Sequence, residues 1–139
     1  HLRGSGCPQG GPLDDRRREF AKFQELTGKL HRAGVPLLVG TDSPEPQVPP
    51  GFSLHQELDM LVESGLSPAA ALKAAPLHNA TALKQEKHLG SITTGKLADI
   101  VLLTANPLDD VRHTRCIELV IRGGRICRPD ELLKRVPKQ

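Results

Sequence analysis

The short apolar run Val35-Pro36-Leu37-Leu38-Val39 ends in Gly40-Thr41-Asp42, placing one carboxylate at the carboxyl end of what reads as a buried strand over residues 35–40. In a parallel α/β barrel the reacting groups gather at that rim, so Asp42 is the first residue to consider for chemistry. The same residues also suit a Thr-Asp-Ser-Pro turn in which the aspartate hydrogen-bonds its own backbone. Thr41 and Ser43 flank it, and either orient the carboxylate or belong to a plain turn. The histidines offer no companion set: His1, His31, His55, His78, His88 and His113 show neither His-x-His nor His-Glu-x-x-His spacing. His55 stands in the first turn of a helix just beyond the loop after Asp42, where it faces either a substrate or solvent. Cys7, Cys116 and Cys127 are far apart, fit no C-x-x-C spacing, and read as reduced, incidental thiols.

The elements around Asp42 follow from periodicity. Phe20, Phe23, Leu26 and Leu30 recur at three- and four-residue steps, predicting an amphipathic helix capped by Asp14 or Asp15 and stopped at Gly34. Between Ser43 and Gly51 lie Pro44, Pro46, Pro49 and Pro50, too many for a helix or sheet interior, so a stiff loop covers the strand's end. Ser53 and Gln56 form a capping-box pattern, followed by Leu54, Leu58, Leu61 and Val62 on one helical face up to Gly65. Ser67-Pro68 restarts a helix that Pro76 ends, and Asn79 caps a short third one over 80–84. After Leu89 the period changes. Ile92, residues 98–103, 117–121 and 125–127 read as strands, with Gly123-Gly124 as a two-residue hairpin turn whose positions both need positive φ. The expected organisation is a loop or frayed end at 1–13, a helix-strand-helix unit at 14–87, β strands at 88–128 and a tail or short helix at 129–139.

At 139 residues with 37% apolar and 25% charged content, the chain has the size and balance of one globular domain. Its net charge of +3 comes from interspersed acids and bases, and aromatic residues are only 2%, which argues against nucleic-acid binding because phosphate neutralisation and base stacking both lack their residues. No run approaches the ~18 apolar residues of a membrane span. The chain begins at His1 and its only methionine is Met60, within a helical pattern, so it reads as a piece of something longer.

Gly40-Thr41-Asp42, Leu54-His55-Gln56-Glu57-Leu58 with Leu61-Val62-Glu63-Ser64-Gly65-Leu66-Ser67-Pro68, and Gly90-Ser91-Ile92 through Asn106-Pro107 carry a resemblance, in order and spacing, to the C-terminal part of amidohydrolase-superfamily enzymes. The imidazolonepropionase-like and prolidase-like members are nearest, and the resemblance covers roughly residues 15–128. It implies an α/β fold: the C-terminal part of a TIM-like (β/α)8 barrel plus the C-terminal strands of a small β-sandwich. It also implies one or two divalent metals, zinc by expectation, at the barrel rim. Of the ligands, only the last-strand aspartate has a counterpart here, which makes Asp42 metal ligand and general base and leaves His55 as a candidate substrate contact. Zinc-bound water ionises near pH ~7, and a neighbouring carboxylate can take its proton and pass it to the leaving nitrogen.

The implied activity is hydrolysis of a C–N bond in a cyclic amide or dipeptide-like small molecule, with the isolated chain incomplete and inactive. A truncated, non-catalytic homologue acting as an interaction module is the rival expectation. Homo-oligomerisation is left open and the cytoplasm is the favoured location. The chain departs from the family at Pro76, where threonine is common, and at Asn79-Ala80-Thr81, where Asn-Pro-Ala is common. Both positions bear on local packing more than on chemistry.

Overall fold

The computed structural model describes residues 12–46 and 48–134. Its elements, in order, are α1 (Pro12–Arg32), α2 (Phe52–Glu63), α3 (Pro68–Lys73), a π turn (Ala74–His78), α4 (Asn79–Ala82), β1 (Ile100–Leu103), a 3₁₀ turn (Val111–Arg115), β2 (Ile117–Arg122), β3 (Arg125–Cys127) and α5 (Pro129–Leu133). The chain is therefore α/β with one small antiparallel sheet among the described residues. Of the loop expected at 1–13, residues 1–11 lie outside the described part.

α1 starts earlier than the expected Asp14 or Asp15 cap, at Pro12, whose fixed φ suits a first turn. Both aspartates lie inside that turn, against the positive end of the helix dipole. The helix closes at Gly34 as expected, with Gly34 N–H donating to His31 O at 2.9 Å and Val35 N–H to Leu30 O at 3.0 Å, the paired bonds of a Schellman ending. The capping box expected at Ser53 does not form. Ser53 is buried within the first turn of α2, and its hydroxyl donates to Pro49 O at 2.9 Å, a carbonyl that the proline-rich loop brings over the helix start. At α3 the local signal holds: Ser67 Oγ accepts Ala70 N–H at 3.2 Å and Pro68 occupies the first turn.

Pro76 does not stop the chain's helical path. It sits within the π turn, whose wider winding relieves the clash of the ring with the carbonyl four residues back. Asn79 is then a helical residue of α4, and its side chain is free to bond elsewhere instead of capping. The expected strand at 35–40 is extended but belongs to no sheet among the described residues. A parallel strand is built only by neighbours on both edges, and here side chains take their place.

β1, β2 and β3 pair antiparallel in that order, with Ile100 opposite Ile121, Val101 opposite Val120 and Leu102 opposite Leu119, then a bulge before Leu103. Gly123 and Gly124, with φ of 54° and 79°, make the two-residue turn between Arg122 and Arg125 that the sequence predicts. Ile92, expected in a strand, lies in an irregular stretch outside the sheet and is exposed. The core gathers Leu58 and Leu61 of α2, Leu66, Ala71, Ala74, Val39 of the extended segment and Val111 of the 3₁₀ turn. Residues beyond 88 thus help to cover the helices.

α1 lies on the far side, close to the end of α2. A Cβ on Gly28 would come within 2.2 Å of Ser64 O, so only glycine allows this approach. The periodic stripe of α1 faces away from the core: Phe20, Phe23 and Leu26 are 47%, 59% and 51% exposed. Contiguous apolar surface of this kind favours association. Residues 1–139 expressed alone are expected to self-associate, and Phe20→Glu with Phe23→Glu to raise the monomer fraction in sedimentation velocity. A monodisperse monomer with the native residues would contradict this.

Candidate functional site

Asp42 follows an extended segment whose backbone is held by side chains of three helical elements. Asn79 of α4 makes two bonds to one residue: its Oδ1 accepts Val39 N–H at 3.1 Å, and its Nδ2 donates to Val39 O at 2.7 Å. Glu57 of α2 accepts Gly40 N–H on Oε1 at 2.9 Å. His78 of the π turn lies 3.0 Å from Leu37 O, and since a carbonyl only accepts, Nδ1 carries the proton. Four backbone groups that a sheet would satisfy are therefore satisfied by side chains, and partial burial demands this of the three at Leu37 and Val39.

Asp42 itself is exposed and has φ 55°, in the left-handed region that aspartate tolerates better than most residues. Its carbonyl accepts Glu45 N–H at 3.1 Å, and Ser43 Oγ donates to Val48 O at 3.0 Å, so the loop folds back in successive turns. Beside the segment's end lies an open cleft of about 590 Å³ lined by Thr41, Phe52, Gln56, Glu57, Asp59 and Arg115, among others.

His55 points to the opposite junction. Its Nδ1 lies 2.9 Å from the hydroxyl of buried Thr114 on the 3₁₀ turn. It lines a second, more apolar cleft of about 490 Å³ between α2 and the sheet, together with Leu54, Leu58, Ile100 and Ile117. Asp42 and His55 thus belong to different surroundings, joined through α2. Arg115 forms a salt bridge with Asp59 and lies 5.8 Å from the Phe52 ring centroid, which ties the 3₁₀ turn to the start of α2. The turn is capped by Asp110, whose carboxyl is held down to about 2 by Arg112, through both its side chain and its backbone N–H.

Burial lowers the pKa of His55, nearby Arg115 adds to that, and Asp59 opposes it. A histidine depressed in the folded state adds stability above its unfolded pKa of ~6.5 and loses it as pH falls through the folded value. The protein is therefore expected to lose stability on acidification below about pH 6.5, with His55→Gln flattening that dependence. Urea melts across pH 5–8 check this, and an identical slope in His55→Gln would refute it.

Sequence reasoning passed over Asn79 as a clamp and Arg115 altogether. Neither shows a local signal, because their partners lie 40 and 56 residues away. Among the described residues no three His, Cys, Asp or Glu side chains stand together to hold an ion. Catalytic zinc uses about three protein ligands, so the described residues do not fit a complete metal centre, and Asp42 is a single donor. Residues 1–139 alone are expected to bind zinc no tighter than about micromolar by calorimetry. Submicromolar stoichiometric binding that Asp42→Ala abolishes would show a site assembled within the chain.

The profile of the amidohydrolase family matches residues 17–127. An imidazolonepropionase of Herpetosiphon aurantiacus is 38% identical over 94 residues, 60% of this chain and 21% of the relative. An ochratoxinase of Aspergillus niger is 31% identical over 122 residues, 79% of this chain and 24% of the relative. Among solved structures, a Xaa-Pro dipeptidase with methionine bound in its active site superposes with a TM-score of 0.70 at 28% identity, over 78% of this chain and 26% of that one. The chain spans about a fifth to a quarter of the length of these proteins. The family comprises hydrolases of C–N bonds in small molecules and is generally metal-dependent. With residues 17–127 matched, the chain belongs to the amidohydrolase family.

Proposed function

We propose that this chain forms the C-terminal part of a (β/α)8-barrel amidohydrolase that hydrolyses a C–N bond in a cyclic amide or dipeptide-like substrate, with Asp42 as the proton-transferring carboxylate. The observation that carries the reading is the placement of Asp42 directly after a segment fixed at Leu37, Val39 and Gly40 by three side chains. In this reading residues 35–41 are the last barrel strand, earlier barrel elements cover its open edges and the stripe of α1, and β1–β3 belong to a small sandwich. The names imidazolonepropionase and Xaa-Pro dipeptidase suggest the two substrate classes.

The chemistry asked of Asp42 is simple. Water adds to the carbonyl carbon, its proton passes to the carboxylate, and the same proton goes to the leaving nitrogen as the C–N bond breaks. Asp42 would also supply one oxygen to a divalent metal, zinc in this reading, with the other donors lying beyond the described residues. His55 keeps a substrate contact here only through Nε2, because Thr114 holds Nδ1. The exposed stripe of α1 favours a second reading, a non-catalytic homologue that uses this face as an interaction module.

Asp42→Asn in the full-length protein separates the two. The amide preserves shape but cannot take the proton, so turnover of an Xaa-Pro dipeptide or a cyclic amide is expected to fall by about 10²–10⁴ with the melting temperature unchanged. Near-native turnover in Asp42→Asn sinks the catalytic assignment, and a native full-length protein inert toward both substrate classes supports the module.

A further inference from the structure

We propose that Asn79 and Glu57 are positioning residues that aim Asp42, a role that rests on the catalytic reading of Asp42 given above. Asn79 grips both backbone groups of Val39, at 3.1 and 2.7 Å, and Glu57 holds the next N–H, that of Gly40, at 2.9 Å. The peptide unit two residues before Thr41-Asp42 is thus fixed from two sides by side chains of α4 and α2. Beyond Thr41 the chain enters the left-handed conformation of Asp42, φ 55°, where the extended path ends.

The two side chains are committed to this task. Oε2 of Glu57 is buried and accepts no hydrogen bond from the described residues, so the carboxylate is set by its Oε1 bond to Gly40 N–H. Asn79 occupies a helical position at the start of α4 yet caps nothing, using its whole amide on Val39. In the complete barrel of this reading, neighbouring strands can bond only the groups that these side chains leave free. At Val39 and Gly40 the grip comes from the helices, so the alignment of Asp42 depends on Asn79 and Glu57. Reaction rates fall steeply when a proton-transfer group is displaced by a fraction of an ångström to an ångström.

The test uses the full-length protein with whichever of an Xaa-Pro dipeptide or a cyclic amide it hydrolyses faster, and amide hydrogen exchange at Val39 and Gly40 as a readout independent of turnover. Asn79→Ala and Glu57→Ala are expected to speed exchange at Val39 and Gly40 respectively and to lower kcat about 10–100-fold with KM little changed. Glu57→Gln, which keeps an acceptor oxygen for Gly40 N–H, should restore both. Unchanged exchange in the alanine variants overturns the clamp. Faster exchange with native kcat, while Asp42→Asn abolishes turnover, overturns the positioning role alone. Native turnover in Asp42→Asn overturns the reading beneath it. If Asn79→Ala does not fold, the contrast between Glu57→Ala and Glu57→Gln decides.

Discussion

The bond pair between Asn79 and Val39 is the constraint on which the rest of this structure leans. An extended backbone cannot satisfy its own N–H and C=O groups as a helix does, and Val39 is 7% exposed, so water cannot serve it well. A primary amide carries one acceptor and one donor, the same pair a neighbouring peptide would present. Asn79 therefore substitutes for a missing strand at one residue. With Val39 fixed there, its side chain completes the cluster of Leu58, Leu61, Ala71 and Ala74, and α2 is brought close enough for Glu57 to reach Gly40.

The junction between helices and sheet is built from polar groups that are each shared. Asp59 and Phe52 both meet Arg115, and His55 meets Thr114 one residue away, while Val111 fills the apolar centre of the same contact. A hydroxyl, a guanidinium and a methyl-bearing side chain from five consecutive residues thus meet one face of α2. That arrangement explains why His55 is partly buried and resists protonation.

Signals confined to a few residues were readable before the fold was known. The Gly34 stop, the Ser67-Pro68 start and the Gly123-Gly124 turn depend on backbone geometry within one turn of chain, and each occurs as the sequence predicts. The readings that failed depend on the path of the chain and on neighbouring elements rather than on local pattern. Ser53 looked like a cap because its competitor, the carbonyl of Pro49, is set by the path of a proline-rich loop. The apolar run at 35–40 looked like a strand, and it is extended, but sheet membership depends on neighbours that no local pattern reveals. Asp42 was visible from its place at the end of that run, whereas the side chains that hold the run were not.

The π turn at Ala74–His78 has a consequence for how this region can vary. Every residue in a straight α-helix advances by a fixed angle, so the direction in which Asn79 points is the sum of all steps since Pro68. A π turn winds more slowly and resets that sum, and the slack is taken up where Pro76 would otherwise collide with its own helix. Pro76 and Asn79 are thereby tied by rotational phase although they share no contact role. A lone insertion or deletion between them would turn the amide away from Val39 while leaving the composition of the helix almost untouched, so length here is constrained more tightly than residue identity.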